Sequence, residues 1–114
     1  MTDIKGKVLA ALQTVEGAER IAFYYPKSFK ILPCISYYEA NNSPAAIADD
    51  EEYLSEIIYV VDIWAGTNDE CTDLMLRVDV AMRSVEFLRE FSSDVYDSNS
   101  DVRHKTSRYR YVGV

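Results

Sequence analysis

Eleven residues, Ser55 to Ala65 (SEIIYVVDIWA), constrain the fold of this chain more than any other stretch. Successive side chains of a strand point to opposite faces. Ile57, Tyr59, Val61 and Ile63 therefore share one face, while Ile58, Val60 and Trp64 share the other with Asp62 among them. A strand apolar on both faces is central, or covered on both sides. One cover follows directly in the chain. Gly66-Thr67-Asn68-Asp69 reads as a turn in which Thr67, or Asn68 one place later, caps a helix, with Asp69 and Glu70 at its positive end. Cys71, Leu74, Met75, Val78, Met82 and Val85 then make one apolar stripe over Asp69 to Val85, with Arg77, Asp79 and Arg83 on the wet side. The helix covers one face of the strand, and a partner subunit is a candidate cover for the other.

The remaining segments extend this unit. Ile4, Val8, Leu12 and Val15 predict a first helix over 3–14, with Gly17 at or beyond its end. Arg20 to Tyr25 (RIAFYY) reads as a strand stopped by Pro26, and Ile31 to Glu39 (ILPCISYYE) as a second. Lys27 to Lys30 would make the two a hairpin, or a looser pair if Phe29 is buried. Ala40 to Glu52 (ANNSPAAIADDEE) reads as a loop. Phe87 to Tyr96 and His104 to Val112 read as two further strands joined by a turn over 97–101, with Tyr109 and Tyr111 on one face. The order α-β-β-β-α-β-β, with runs of strands rather than strict alternation, predicts a single α+β domain spanning 1–114: two helices packed on a mostly antiparallel sheet.

Composition excludes several function classes. A net charge of −7 disfavours non-specific nucleic-acid binding, which depends on neutralising phosphates. No apolar run reaches the roughly 18 residues of a membrane span, and the N-terminus does not read as a signal peptide. Cys34 and Cys71 sit in apolar-periodic segments and read as buried free thiols of a protein made in a reducing cytoplasm.

Residues suited to reaction chemistry are sparse. His104 is the one histidine, and no Cys or His near it in sequence completes a zinc pattern, so it reads as a surface residue. The four glycines are too scattered for a phosphate loop. Asp97-Ser98-Asn99-Ser100-Asp101 opens like a calcium loop, but Val102 stands where Gly is needed and Arg108 where Glu is needed. It reads instead as a turn held by Asx hydrogen bonds. Asn41-Asn42-Ser43 matches a glycosylation pattern without secretory context. Asp62 reads as the partner of an Arg or Lys from a neighbouring element. Its alternative role, a desolvated acid or base in a small enzyme, would require a deep pocket around it. No cofactor or metal is expected, and the chain is not expected to be an enzyme.

Two features point to association instead. Residues 49–101 carry fifteen acids against three bases, whereas 103–110 carry Arg103, Lys105, Arg108 and Arg110 with no acid. The run Asp49, Asp50, Glu51, Glu52 reads as a solvated loop, or as a site for a cation or a basic partner. Nine tyrosines include the adjacent pairs Tyr24-Tyr25 and Tyr37-Tyr38, each of which must send one ring to each sheet face. Tyrosine suits interfaces because it joins a large apolar body to a hydroxyl.

The layout and several stretches resemble the small tail-terminator and tail-completion proteins of long-tailed bacteriophages and prophages. These stretches are the strand LPCISYYE (Leu32 to Glu39) with the acidic loop after it, and a strand ending in VDIWA (Val61 to Ala65). LMLRVDVAMRSV (Leu74 to Val85), FLREFSSDVYD (Phe87 to Asp97) and HKTSRYRY (His104 to Tyr111) extend the likeness over roughly residues 1–112. That resemblance implies a structural virion protein, made in the bacterial cytoplasm. Such proteins form a ring, commonly sixfold, at the head-proximal end of the tail, end tube growth there and dock the capsid. Its partners would be copies of itself, on the tail if not in solution, with the tail tube protein and the head connector protein, and no membrane. A ring needs a heterologous interface between two different patches. The basic strand Arg103 to Arg110 and the acidic region 49–56 are the expected patches, with Tyr37, Tyr38 or Tyr111 supplying most of the affinity. DNA in a ring lumen is a less favoured contact for the basic strand. Two other roles remain open: a head-side connector or stopper, and a non-viral α+β adaptor for a charged protein partner.

Overall fold

The computed structural model describes residues 2–48, 51–96, 98 and 101–113. The elements follow in the order α1 (Lys5–Gln13), β1 (Arg20–Phe23), β2 (Cys34–Ala48), β3 (Glu51–Ala65), α2 (Asn68–Ser84), β4 (Leu88–Val95) and β5 (Arg103–Gly113). The strands form one sheet ordered β1-β2-β3-β5-β4, antiparallel except for the β1/β2 pair. The expected class, two helices on a mostly antiparallel sheet, is the one observed.

Ser55 to Ala65 pairs along its whole length with β5, and β2 flanks it on the other side. Its Ile57, Tyr59, Val61 and Ile63 are buried beneath both helices, together with Ile35 and Tyr109. From α1, Ile4, Val8, Leu12 and Val15 enter this core, and from α2, Cys71, Leu74, Met75, Val78 and Met82. The Thr67 hydroxyl accepts from the Glu70 N–H at 3.1 Å, so Thr67 is the cap that starts α2. α1 ends at Gln13 with Thr14 as its cap, and Gly17 lies beyond it in a turn with φ +96°, a conformation glycine adopts without penalty. Both cysteines are buried and free, as expected.

Two expectations about the first half of the sheet fail. β1 and β2 do not form a hairpin: they are parallel, from Arg20 opposite Cys34 to Phe23 opposite Tyr37. A parallel pair needs a crossover, and residues 24–33 make it over the face away from the helices. There Phe29 and Tyr25 pack on Trp64 with ring centroids 5.0 and 5.2 Å away. Ala22, Cys34, Trp64 and Val102 thus form a second small core on that face, with Phe29 and Leu32 against it. The first strand also ends at Phe23 rather than Tyr25. Tyr24 takes φ 73° and donates its N–H to the Tyr37 carbonyl at 2.7 Å, which turns the chain out of the sheet.

Most of the expected 40–52 loop is strand instead. β2 continues to Ala48 and β3 begins at Glu51, so the two form one long hairpin arm. Register shifts at Ala40, at Ala45 and between Ala46 and Ile47 let the irregular sequence pair. Pro44, which has no N–H to give, lies on an edge that β1 does not reach. β5 leaves β3 at Ser55, so the outer arm is a two-stranded ribbon projecting from the body. The molecule measures 53 × 26 × 23 Å. Thr2 ties the arm's base to the chain start: its carbonyl accepts from Asn42 Nδ2 at 2.7 Å, and its Oγ1 lies 3.1 Å from Ser55 Oγ.

Candidate functional site

Cross-strand register decides where the charged residues of β5 point. Arg108 stands opposite Val60 and Arg110 opposite Ile58, so both lie on the open sheet face away from the helices. Lys105 stands opposite Ile63 and Arg103 opposite Ala65, on the helix-bearing side. The four bases therefore do not form one patch. Lys105 Nζ lies 3.0 Å from Asp94, Arg108 Nε 2.9 Å from Glu90, and Arg110 Nη2 2.8 Å from Glu56. The expected oppositely charged surfaces meet in part within one chain, because strand pairing sets β5 beside both the acidic start of β3 and the acids of β4.

The acidic region is divided too. Glu51 is exposed on the arm, and Glu52 accepts from the Ser55 hydroxyl at 2.7 Å. Asp49 and Asp50 lie outside the described residues, as do Asp97, Asn99 and Ser100 of the expected Asx turn. Of the tyrosines expected at an interface, Tyr37 is a correction: it is buried on the helix side against Tyr59 and Phe23. Tyr111 is partly buried, with its ring 5.3 Å from Phe87. Tyr38 does face the open side, half-buried, with the Tyr24 ring 5.0 Å away.

His104 and Asp62 depart furthest from expectation. Among the described residues Asp62 is paired with His104 rather than with an Arg or Lys. Its Oδ1 lies 2.8 Å from His104 Nε2, and the imidazole stacks on Trp64 at 3.7 Å with 14° between planes. His104 is thus half-buried rather than a free surface residue. The pairing follows from register: Trp64 stands opposite His104 and Asp62 opposite Thr106, so all four share the open face. The indole N–H donates to Ser36 Oγ at 2.9 Å. An open recess of about 320 Å³ lies over this group, with Tyr24, Tyr25 and Tyr38 on its wall. Burial raises the Tyr38 hydroxyl above its ordinary range, and the nearby Asp62 carboxylate and Tyr24 add to the effect. Chemically this is a histidine–carboxylate pair roofed by aromatic rings, with no nucleophilic thiol in its wall. Both cysteines lie in the cores, their thiols raised chiefly by burial and hence poorly reactive. Among the described residues no group of three or more His, Cys, Asp or Glu is placed to hold a metal ion.

Three exposed apolar features were missed in sequence. The outer arm presents Ile47, 62% exposed, beside Pro44, Ala45 and Ala48. Edge strand β4 presents Leu88, Phe91 and Val95 on the open face. On α2, Leu76 and Val80 line a groove of about 540 Å³ against the end of α1. Leu76 and Val80 at i, i+4 beside the stripe were a readable signal; the arm was hidden by its loop-like composition. No protein-family model and no curated protein matches this chain.

Proposed function

We propose that this chain is a structural joint of a long-tailed phage or prophage virion: a ring at the head-proximal end of the tail that ends tube growth and receives the capsid. The observation that carries the reading is the hairpin arm, a two-stranded ribbon with exposed Ile47 that projects from the body. A two-stranded ribbon is marginal by itself, and a neighbouring protein that covers Ile47 would stabilise it. The open face adds the apolar side chains of edge strand β4, beside the ion pairs Arg108–Glu90 and Arg110–Glu56. The likeness of the sequence to tail-terminator proteins turns a general assembly role into this specific one.

The head-side connector or stopper role rests on the same surfaces, and one genetic experiment separates the two. Deleting the gene from an inducible phage genome should release heads without tails together with tubes of uncontrolled length, seen by negative-stain microscopy. Tubes of normal length that fail only to join heads would assign the chain to the head side. Normal infectious particles would end both readings.

A further inference from the structure

The arm tip and the β1–β2 crossover stand at opposite ends of β2, and their chemistries match. The crossover 24–33 (YYPKSFKILP) contains two lysines and no acid. Lys27 and Lys30 are both exposed, and neither makes an ion pair among the described residues. Beside them Tyr25 and Ile31 are more than half exposed, although the crossover itself is anchored by Phe29 on Trp64. Tyr24 carries the same message: a non-glycine residue in the left-handed region costs free energy, and here it holds an exposed ring outside the sheet. At the other end of β2, the arm offers Ile47 and small apolar neighbours, followed in sequence by four consecutive acids, 49–52.

We infer that the arm of one copy docks on the 24–33 crossover of a second copy, with Ile47 against the exposed ring of Tyr25 and the side chain of Ile31, and with the exposed Glu51 facing Lys27 and Lys30. The inference deepens the assembly reading and rests on it, naming the contact that would build the ring. Because the two patches are different and lie at opposite ends of one strand, the contact is head-to-tail. Such an interface continues from copy to copy until rotation closes a ring. The tie from Thr2 to Asn42 and Ser55 fixes the arm's base, so part of the ordering cost is met before the copies meet. Opposite charge at the two ends steers encounter and disfavours arm-to-arm contact, which would bring like charges together.

Cysteine trapping tests this contact directly, because Cys34 and Cys71 are buried and out of reach. The full chain carrying both Ile47→Cys and Ile31→Cys, oxidised at millimolar protein, should give a ladder of dimer, trimer and higher species on non-reducing gels. Either single variant should give no ladder. Adding Lys27→Glu with Lys30→Glu should lower ladder yield about tenfold through like-charge repulsion, and Glu51→Lys should restore part of it. The substituted side chains lie outside the two cores, and circular dichroism of each variant checks that it folds. Absence of the ladder, or a yield that ignores both charge reversals, overturns the contact. The two failures are distinguishable: a chain found in virions without the ladder keeps the joint and loses the arm contact. A ladder from a chain absent from virions does the reverse.

Discussion

Arg110 reaches across from β5 to Glu56 on β3, placing Nε and Nη2 at 3.1 and 2.8 Å from one carboxylate oxygen. The basic strand is therefore partly neutralised before any partner arrives. Both side chains keep about a third or more of their surface in water, and exposed pairs of this kind contribute little. Arg110→Ala should cost no more than about 1 kcal/mol in denaturant unfolding, and raised salt should shrink the difference from wild type. A loss of several kcal/mol would mean that the pair organises the sheet.

Asp62, His104 and Trp64 form a close group on the open face, and the chain's single tryptophan reports on it. His104→Ala removes both the hydrogen bond to Asp62 and the stacked cover of the indole. The expected result is a red-shifted Trp64 emission and a destabilisation of about 1–3 kcal/mol. An unchanged spectrum would contradict the 3.7 Å stack.

Tyr59 and Tyr109 are fully buried in the helix-side core. The Tyr59 hydroxyl has no hydrogen-bond partner among the described residues, so Tyr59→Phe should be neutral or stabilise by about 1 kcal/mol. Chemical denaturation of the variant checks this. A clear destabilisation would reveal a partner for the hydroxyl.

The same two rings set an alkaline limit. Burial raises both hydroxyls well above the ordinary tyrosine range; Glu39 adds to the effect at Tyr59, and Asp79 at Tyr109. A raised folded-state value means that these rings favour folding fully below the unfolded value of about 10 and lose that contribution as pH climbs beyond it. Ultraviolet titration should show a late tyrosinate step that coincides with loss of helical circular dichroism. Complete ionisation of all nine rings in the folded chain would refute it.

Gly17 offers a sharper backbone test. Its φ is +96°, and a Cβ there would stand 3.0 Å from Arg77 Nη1 and 3.3 Å from Leu74. Gly17→Ala should destabilise by more than the roughly 1 kcal/mol that a compatible Gly-to-Ala change would gain, read from the melting midpoint. A stabilised variant would contradict the turn geometry.

The legible parts of the fold were those written in local periodicity. The two-faced strand at Ser55–Ala65, the stripe of α2 and the α1 face of Ile4, Val8 and Leu12 all depend on spacing alone. The arm was not legible, because Asn41, Pro44 and the alanines have poor strand propensity. Pairing with β3, eased by three register shifts, outweighs that preference. The parallel β1/β2 pair was hidden for a related reason: only burial of Phe29 on Trp64 tells a crossover from a turn. Charge partners were the least legible. Arg110–Glu56 and His104–Asp62 follow from β3/β5 register, which no single segment encodes.

Quantitative mass spectrometry of purified particles, induced from a genome carrying this gene, tests the central claim most directly. The account predicts this chain at a few copies per particle, a small fraction of the tube protein, in infectious virions. Intact infectious particles that lack it would contradict a head–tail joint and leave a protein-binding adaptor as the role these surfaces serve.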